Sequence, residues 1–278
     1  MIIVGCAINT SLGNVEDLVR SRDKEAISKL AAEQSDLGAH VIGINAGTLI
    51  HTEVEDIEWL ARTVQQAVRR PLWIDTANPE AMEAGLKAHD SSWGAPIVDS
   101  ATAEPERLHA MAKLAKRYEG MLIGLMMDEN GIPVTPEGRV GAGRTIIEYA
   151  LSLGIPKERI FLDPLVMPIA IGDQNTLILR DTMLLAKQEL KVKLSCAPDN
   201  VSIGLPLPGL VSQTLAVMCM AWGIDLLAVV LDKGMTAAIR ASQMLLGRDE
   251  YCRDYLRGYR AGHYAGFPET RSIRHKDT

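Results

Sequence analysis

Pro71-Leu-Trp-Ile-Asp-Thr-Ala-Asn-Pro-Glu80 is the stretch on which the reading of the fold turns. Its first residues form a short apolar run, suited to a strand buried on both faces, and the run stops at a carboxylate, Asp75. Asn78-Pro79-Glu80 then reads as a helix entry. The Asn side chain can cap free backbone N–H groups, Pro suits the first helical position, and an acid complements the positive helix end. A buried strand that ends in a polar residue and leads into a helix is one unit of an alternating strand–helix chain.

The same unit recurs on both sides. Ile2-Ile-Val-Gly5 begins a first strand, followed by a helical pattern over 15–37 that Gly38 stops. Val41-Ile-Gly-Ile44 exits through Asn45-Ala-Gly47 into a helix over 54–68, where Ile57, Leu60, Ala61, Val64 and Val68 keep helical spacing. Pro96-Ile-Val98 and the run 120–127 are the fourth and fifth strands, with Glu104-Pro105-Glu106 opening the helix between them. Helices are expected over 144–153, 176–190, 213–222, 235–246 and 250–259, and strands over 160–162, 192–196 and 226–230. Eight such units in 278 residues predict a single (β/α)8 TIM barrel, a fold that takes about 250 residues. The barrel is expected to occupy 1–262, with a polar, frayed tail at 263–278. Gly141-Ala-Gly143 reads as a flexible helix entry rather than a phosphate cradle.

Composition narrows the function classes. Hydrophobic residues make up 47% and charged residues 23%, enough for a sizeable core; aromatics are only 4%, so aliphatic residues and 12 Met must fill it. A net charge of -6 argues against nucleic acid or an anionic membrane as partner. No apolar run is long enough to span a bilayer, and Met1-Ile-Ile-Val-Gly-Cys6 reads as a first strand rather than a leader. Cys6, Cys196, Cys219 and Cys252 are scattered and do not combine with His at zinc-ligand spacing, so no bound metal and a reducing cytoplasm are expected.

Residues at the carboxyl ends of barrel strands converge on one face. Here they are Asn45, Asp75, Asp99, Asp128, Asp163, Asn200 and Asp232. Asp128, beside Asn130-Gly131, reads as a turn residue, and Asp232, before Lys233-Gly234, as a turn or cap. Asp75 is surplus to local needs because Asn78 already caps, and Asp163 is held extended by Pro164. Carboxylates and amides without Lys, Arg or clustered His suit a neutral, nitrogen-rich heterocycle with N–H donors. Asp75, Asp99 and Asp163 could instead hold a divalent metal, and spacing does not separate the two.

Ile44-Asn-Ala-Gly47, Ile74-Asp-Thr-Ala-Asn78, Ala84-Gly-Leu86, Val98-Asp-Ser-Ala-Thr102, Leu122-Ile-Gly-Leu125, Asn130-Gly-Ile-Pro133, Leu162-Asp-Pro-Leu165 and Asn200-Val-Ser202 occur in this order around the eight expected strands. In that order the chain resembles the methyltetrahydrofolate:corrinoid protein methyltransferases, relatives of dihydropteroate synthase. The resemblance implies a pterin in the bowl, with Asp75 and Asp163 as pterin-binding carboxylates, Asp99 where the best-known members carry Asn, and Ser202 nearby. It implies that Asn200 reaches N5 of the folate as the one catalytic residue. It also implies a corrinoid carried by a partner protein, and a homodimer. The chain departs from the pattern at Asp199, where the family has Ser, at Ile203 for a common Gln, in Leu205-Pro-Leu-Pro208, and at Gly5-Cys-Ala7. A dihydropteroate synthase-like enzyme, which would need basic groups for pyrophosphate, and a non-catalytic folate-binding subunit are the rival readings.

Overall fold

The computed structural model describes residues 1–266. Eight parallel strands close a barrel in chain order: β1 (Ile2–Asn9), β2 (Val41–Asn45), β3 (Leu72–Asp75), β4 (Ile97–Ala101), β5 (Met121–Leu125), β6 (Ile160–Asp163), β7 (Lys193–Cys196) and β8 (Leu226–Val229), with β8 pairing back onto β1. Around them lie α1 (Val15–Arg20), α2 (Lys24–Leu37), α3 (Glu53–Ala67), α4 (Pro79–Ala88) and α5 (Pro105–Arg117). The circuit continues with α6 (Pro136–Ser152), α7 (Asn175–Glu189), α8 (Pro208–Ala221), α9 (Lys233–Leu245) and α10 (Arg253–Arg260). The molecule is a single (β/α)8 TIM barrel, as the strand–helix alternation predicts.

Two apolar layers hold it together. Inside the barrel Val4, Val41, Trp73, Ile97, Ile123 and Phe161 fill the axis, leaving no open pore there. Outside, aliphatic residues such as Ile42, Leu72, Val98 and Leu162 meet the inward faces of the helices. Each such side chain, fully buried, contributes about 1.5–3 kcal/mol. Local signals fix the joints: Asn78 caps α4 by accepting the Glu80 N–H at 3.0 Å, and Gly38 ends α2 at φ 114°, a left-handed conformation.

Some boundaries differ from the sequence reading, each for a physical reason. The pattern over 15–37 is two helices, because Asp23 caps a new one by accepting the Ala26 N–H at 3.0 Å, and Arg22 takes φ 56°. Helix α6 begins at Pro136 rather than 144, with the Thr135 hydroxyl accepting the Gly138 N–H at 3.2 Å. Gly141 and Gly143 therefore lie inside the helix. A Cβ on Gly143 would come within 2.7 Å of Leu162, so the missing side chain permits close packing on β6. Helix α8 starts at Pro208, ahead of the expected 213. The 250–259 segment divides into a 3-10 turn and α10 at Tyr251 and Cys252, both in left-handed conformations. Tyr264 is packed: its hydroxyl donates to the Tyr255 carbonyl at 3.0 Å. The tail expected at 263–278 otherwise falls, over 267–278, outside the described residues.

Strand register places polar side chains in a row. Asn9 pairs with Asn45, Asn45 with Asp75, and Asp75 with Asp99, so four neighbouring strands present amides and carboxyls at one level. On the opposite wall Asp163 pairs with Leu125.

Candidate active site

The bowl at the carboxyl ends of the strands has two adjoining lobes that share Asp75, Asp99 and Leu125. One, of about 540 Å³, is bounded by Cys6, Trp73, Asp163, Asp199, Asn200 and Ile203. The other, of about 620 Å³, reaches toward Asn45, Glu53, Thr76 and Arg107. Asp75, Asp99, Asp163 and Asn200 thus meet around one cavity.

Trp73 and Asp75 are two residues apart on β3 and so share its inward face. The Trp73 indole N–H donates to Asp99 Oδ2 at 2.9 Å. Burial pushes the Asp99 carboxyl well up from the usual carboxylate range, and the charges of Asp75 and Asp163 add to the rise; the Trp73 N–H and Arg107 oppose it. Asp75 is raised by burial too, against the amide of Asn45, the charge of Arg107 and the carboxyl of Asp99. Asp163 accepts the Leu165 N–H at 2.8 Å and the Ser195 hydroxyl at 3.4 Å. Burial pushes Asp163 up to about 7 despite those donors and the Arg139 charge.

Two arginines stand behind these carboxyls. Arg107 donates to the Ser100 carbonyl at 3.0 Å and to its hydroxyl at 2.9 Å, bracing the end of β4. Arg139 is buried and donates to the carbonyls of Pro133, Pro164 and Leu165, holding the loop after β6. The expectation of a ring without Arg therefore needs correcting. Its sequence signal was present: Pro105 at the first helical position puts Arg107 in the first turn of α5, beside the strand end. Trp73 and Glu53 were also missed. Trp73 was legible from strand alternation, whereas Glu53, which accepts the Thr76 hydroxyl at 2.5 Å, depends on the α3–β3 packing.

Asn200 sits not on a strand but in a 3-10 turn, Pro198–Ser202, that follows β7. It is exposed at the mouth, and among the described residues its side-chain amide has no protein partner. Asp199 anchors that turn. Its Oδ2 accepts the Val230 N–H at 2.9 Å, and burial raises its carboxyl while the Val230 N–H opposes the rise. Ser202 does not join the bowl. Its hydroxyl donates to the Asp199 carbonyl at 2.9 Å and lies 3.0 Å from Ser212 Oγ, facing a separate cleft beside α8. The extra turn residues after β7 rotate it away from the position that a plain strand end would give.

The remaining strand-end polar groups have local partners. Asp128 accepts the Asn130 N–H at 2.8 Å in a turn, and Asp232 caps α9 by accepting the Met235 N–H at 2.6 Å. Asn45 does both jobs, accepting the Gly47 N–H at 2.9 Å while lining the second lobe. Among the described residues no group of three or more His, Cys, Asp or Glu is disposed to hold a metal ion, and no helix is long and apolar enough to cross a membrane.

The sequence assigns this barrel to a family: the chain belongs to the pterin binding enzyme family, whose profile matches residues 8–240. It is similar to a methylcorrinoid:tetrahydrofolate methyltransferase of Eubacterium limosum, 30% identical over 275 residues, covering 94% of this chain and 97% of that one. Among solved structures it resembles a dihydropteroate synthase of Anaplasma phagocytophilum with bound 6-hydroxymethylpterin-monophosphate, with a TM-score of 0.69 at 17% identity, covering 88% of this chain and 99% of that one. A dihydropteroate synthase of Xanthomonas albilineans with 4-aminobenzoic acid gives a TM-score of 0.68 at 19% identity, covering 88% and 92%. At that identity the two solved structures share the fold alone. The family resemblance carried by the sequence motifs is borne out, and the chain is an enzyme.

Proposed function

We propose that this enzyme transfers a methyl group between N5 of tetrahydrofolate and the cobalt of a corrinoid carried by a partner protein. The observation that carries the reading is the likeness, over nearly the whole of both chains, to a methylcorrinoid:tetrahydrofolate methyltransferase. The chemistry of the bowl supports it. Asp75, Asp99 and Asp163 provide hydrogen-bonding groups for the N–H-rich edge of a pterin and fix its orientation. Asn200, free at the mouth, donates its amide hydrogen bond to the N5 lone pair that appears as the N–CH3 bond breaks. In the other direction N5 takes the methyl group and gives up its proton to solvent, and the electron pair of the broken Co–C bond stays on cobalt. The amide hydrogen bond strengthens as charge changes on the nitrogen, which stabilises the transition state more than the bound substrate. The partner's cobalt supplies the second methyl-binding centre of the substitution, and an open mouth leaves it a line of approach. A homodimer and a cytoplasmic setting belong to the same reading.

A dihydropteroate synthase reaction is the enzymatic rival, since the fold serves both. It releases pyrophosphate and calls for cationic groups at the mouth, and among the described residues no Lys or Arg borders the lobe containing Asn200. Single-turnover mixing of a methylated corrinoid protein with tetrahydrofolate and the enzyme should yield 5-methyltetrahydrofolate. Absence of transfer, with condensation of a pterin pyrophosphate and 4-aminobenzoate instead, would replace this reading by its rival.

A further inference from the structure

We infer that Asp75 and Asp99 share a single proton, carried by Asp99, so that the pair offers a bound pterin one carboxylate acceptor beside one hydroxyl donor. The inference rests on the reading of the bowl as a folate site only for the identity of the ligand; the proton itself follows from the geometry.

The two carboxyls are in register on adjacent parallel strands and line the same two lobes of the bowl, so they stand side by side on one face. Two carboxylates have acceptors only, so neighbours placed this way can bond to one another only when one of them holds a proton. Like charges at such a distance in a partly desolvated floor also oppose double ionisation. The surroundings decide which member carries the proton. Asp75 faces the amide of Asn45 and the Arg107 guanidinium of α5, both of which favour its charge, with Glu53 of α3 opposing. Asp99 faces Asp75 and also Asp163 of β6, against only the Trp73 N–H and the same Arg107. Arg107 is already committed to Ser100, and Arg139 to three carbonyls, so neither is free to close on Asp99 as a dedicated ion-pair partner. On β1, the Cys6 thiol is itself held neutral by burial and by Asp75, Asp199 and Asp99, so it brings no compensating charge.

Trp73 sets the orientation. Its N–H occupies Asp99 Oδ2, so the proton belongs on the other oxygen, Oδ1. In this state Asp99 behaves as an amide would, accepting through one oxygen and donating through the other. A ligand edge with an N–H next to an acceptor atom matches that pair; two carboxylates would repel the acceptor.

The test pairs ligand binding with infrared spectroscopy on the full-length protein. Affinity for 5-methyltetrahydrofolate is measured from roughly pH 6 to 10, where wild type should weaken about tenfold per unit above the pair's second ionisation. Asp99→Asn should keep wild-type affinity near neutral pH and lack this alkaline fall, retaining only the change that Asp163 sets near 7, and Asp99→Ala should bind weakly throughout. A profile for Asp99→Asn as steep as wild type, or neutral-pH binding as weak as Asp99→Ala, overturns the assignment. In the unliganded protein the carbonyl stretch of a neutral carboxylic acid should persist above the ionisation of Asp163. It should vanish in Asp99→Asn and survive in Asp163→Asn. If that band is absent in wild type, the shared proton is refuted whatever folate does. If the band behaves as expected and folate does not bind, the proton stands and the folate reading fails.

Discussion

Asp199 reaches 2.9 Å from its Oδ2 to the backbone N–H of Val230 and so ties the turn that carries Asn200 to the end of β8. The chain departs here from the Ser expected of the family, and the departure has a mechanical use: the carboxylate is a strut beneath the proposed N5 contact. Replacing it with Ala should lower single-turnover methyl transfer by about tenfold, equivalent to about 1.4 kcal/mol in the activation barrier of the transfer, because Asn200 loses its fixed position. Folate affinity should change little. Asp199→Asn, which keeps an acceptor for Val230, should restore most of the rate; transfer unaffected by either change would remove the strut from the mechanism.

Asn200 itself should be costlier to lose. Donors aimed at charge that develops in a transition state are worth about 2.7–4 kcal/mol, so Asn200→Ala should slow methyl transfer about 100-fold or more. Its amide stands at the mouth rather than in the floor of carboxyls, so equilibrium binding of folate should survive. Rapid-mixing rates and a binding isotherm on one preparation separate the two effects.

Asp163 makes stability depend on pH. An ordinary Asp ionises near 3.9, whereas this carboxyl ionises at about 7 in the folded protein. Below about pH 4 both states hold the proton and nothing is lost. Between about 4 and 7 the unfolded chain ionises while the folded protein resists, so stability falls as pH rises, by an upper bound of about 4 kcal/mol. Asp163→Asn is neutral in both states. Urea denaturation should show it gaining on wild type from about pH 4 to 7 and holding that gain above; a constant difference across that range would mean that Asp163 is ionised in the fold throughout.

Gly85 tests the packing of α4. A Cβ there would stand 2.7 Å from Ile57 and 3.0 Å from Ile74, both fully buried. Alanine is the better helix former by about 1 kcal/mol, yet overpacking a closed core costs about 1–3 kcal/mol. Gly85→Ala should therefore unfold at lower denaturant concentration than wild type despite its higher helix propensity.

What could be read from the chain before folding follows from the range of each signal. Asn78 caps, Pro79 enters and Asp75 closes a strand within ten residues, so this unit is legible locally, and its repetition gives the barrel. Gly143 misled because its reason lies on β6, at Leu162, and nothing in its own neighbourhood reveals that. Ser202 was expected near the pterin from the family resemblance alone; the 3-10 turn at Pro198 sends its hydroxyl to Ser212 instead, a fold-back no local signal reveals. Arg107 was within reach, since Pro105 fixes where the first turn of α5 begins.

The closure of β8 onto β1 also dates the site within the folding of the molecule. The row from Asn9 to Asp99 is assembled by the first four strands, whereas the strut for Asn200 joins the turn after β7 to the end of β8. Strand β8 completes the ring by pairing with β7 on one side and, on the other, with β1, more than two hundred residues earlier in the chain. Contacts this distant in sequence are slow to form and come late. A partly folded chain could thus display the pterin floor before it can position Asn200. Ligand capture and methyl-transfer competence should then arise as separate events during refolding, the second reporting that the circle has closed.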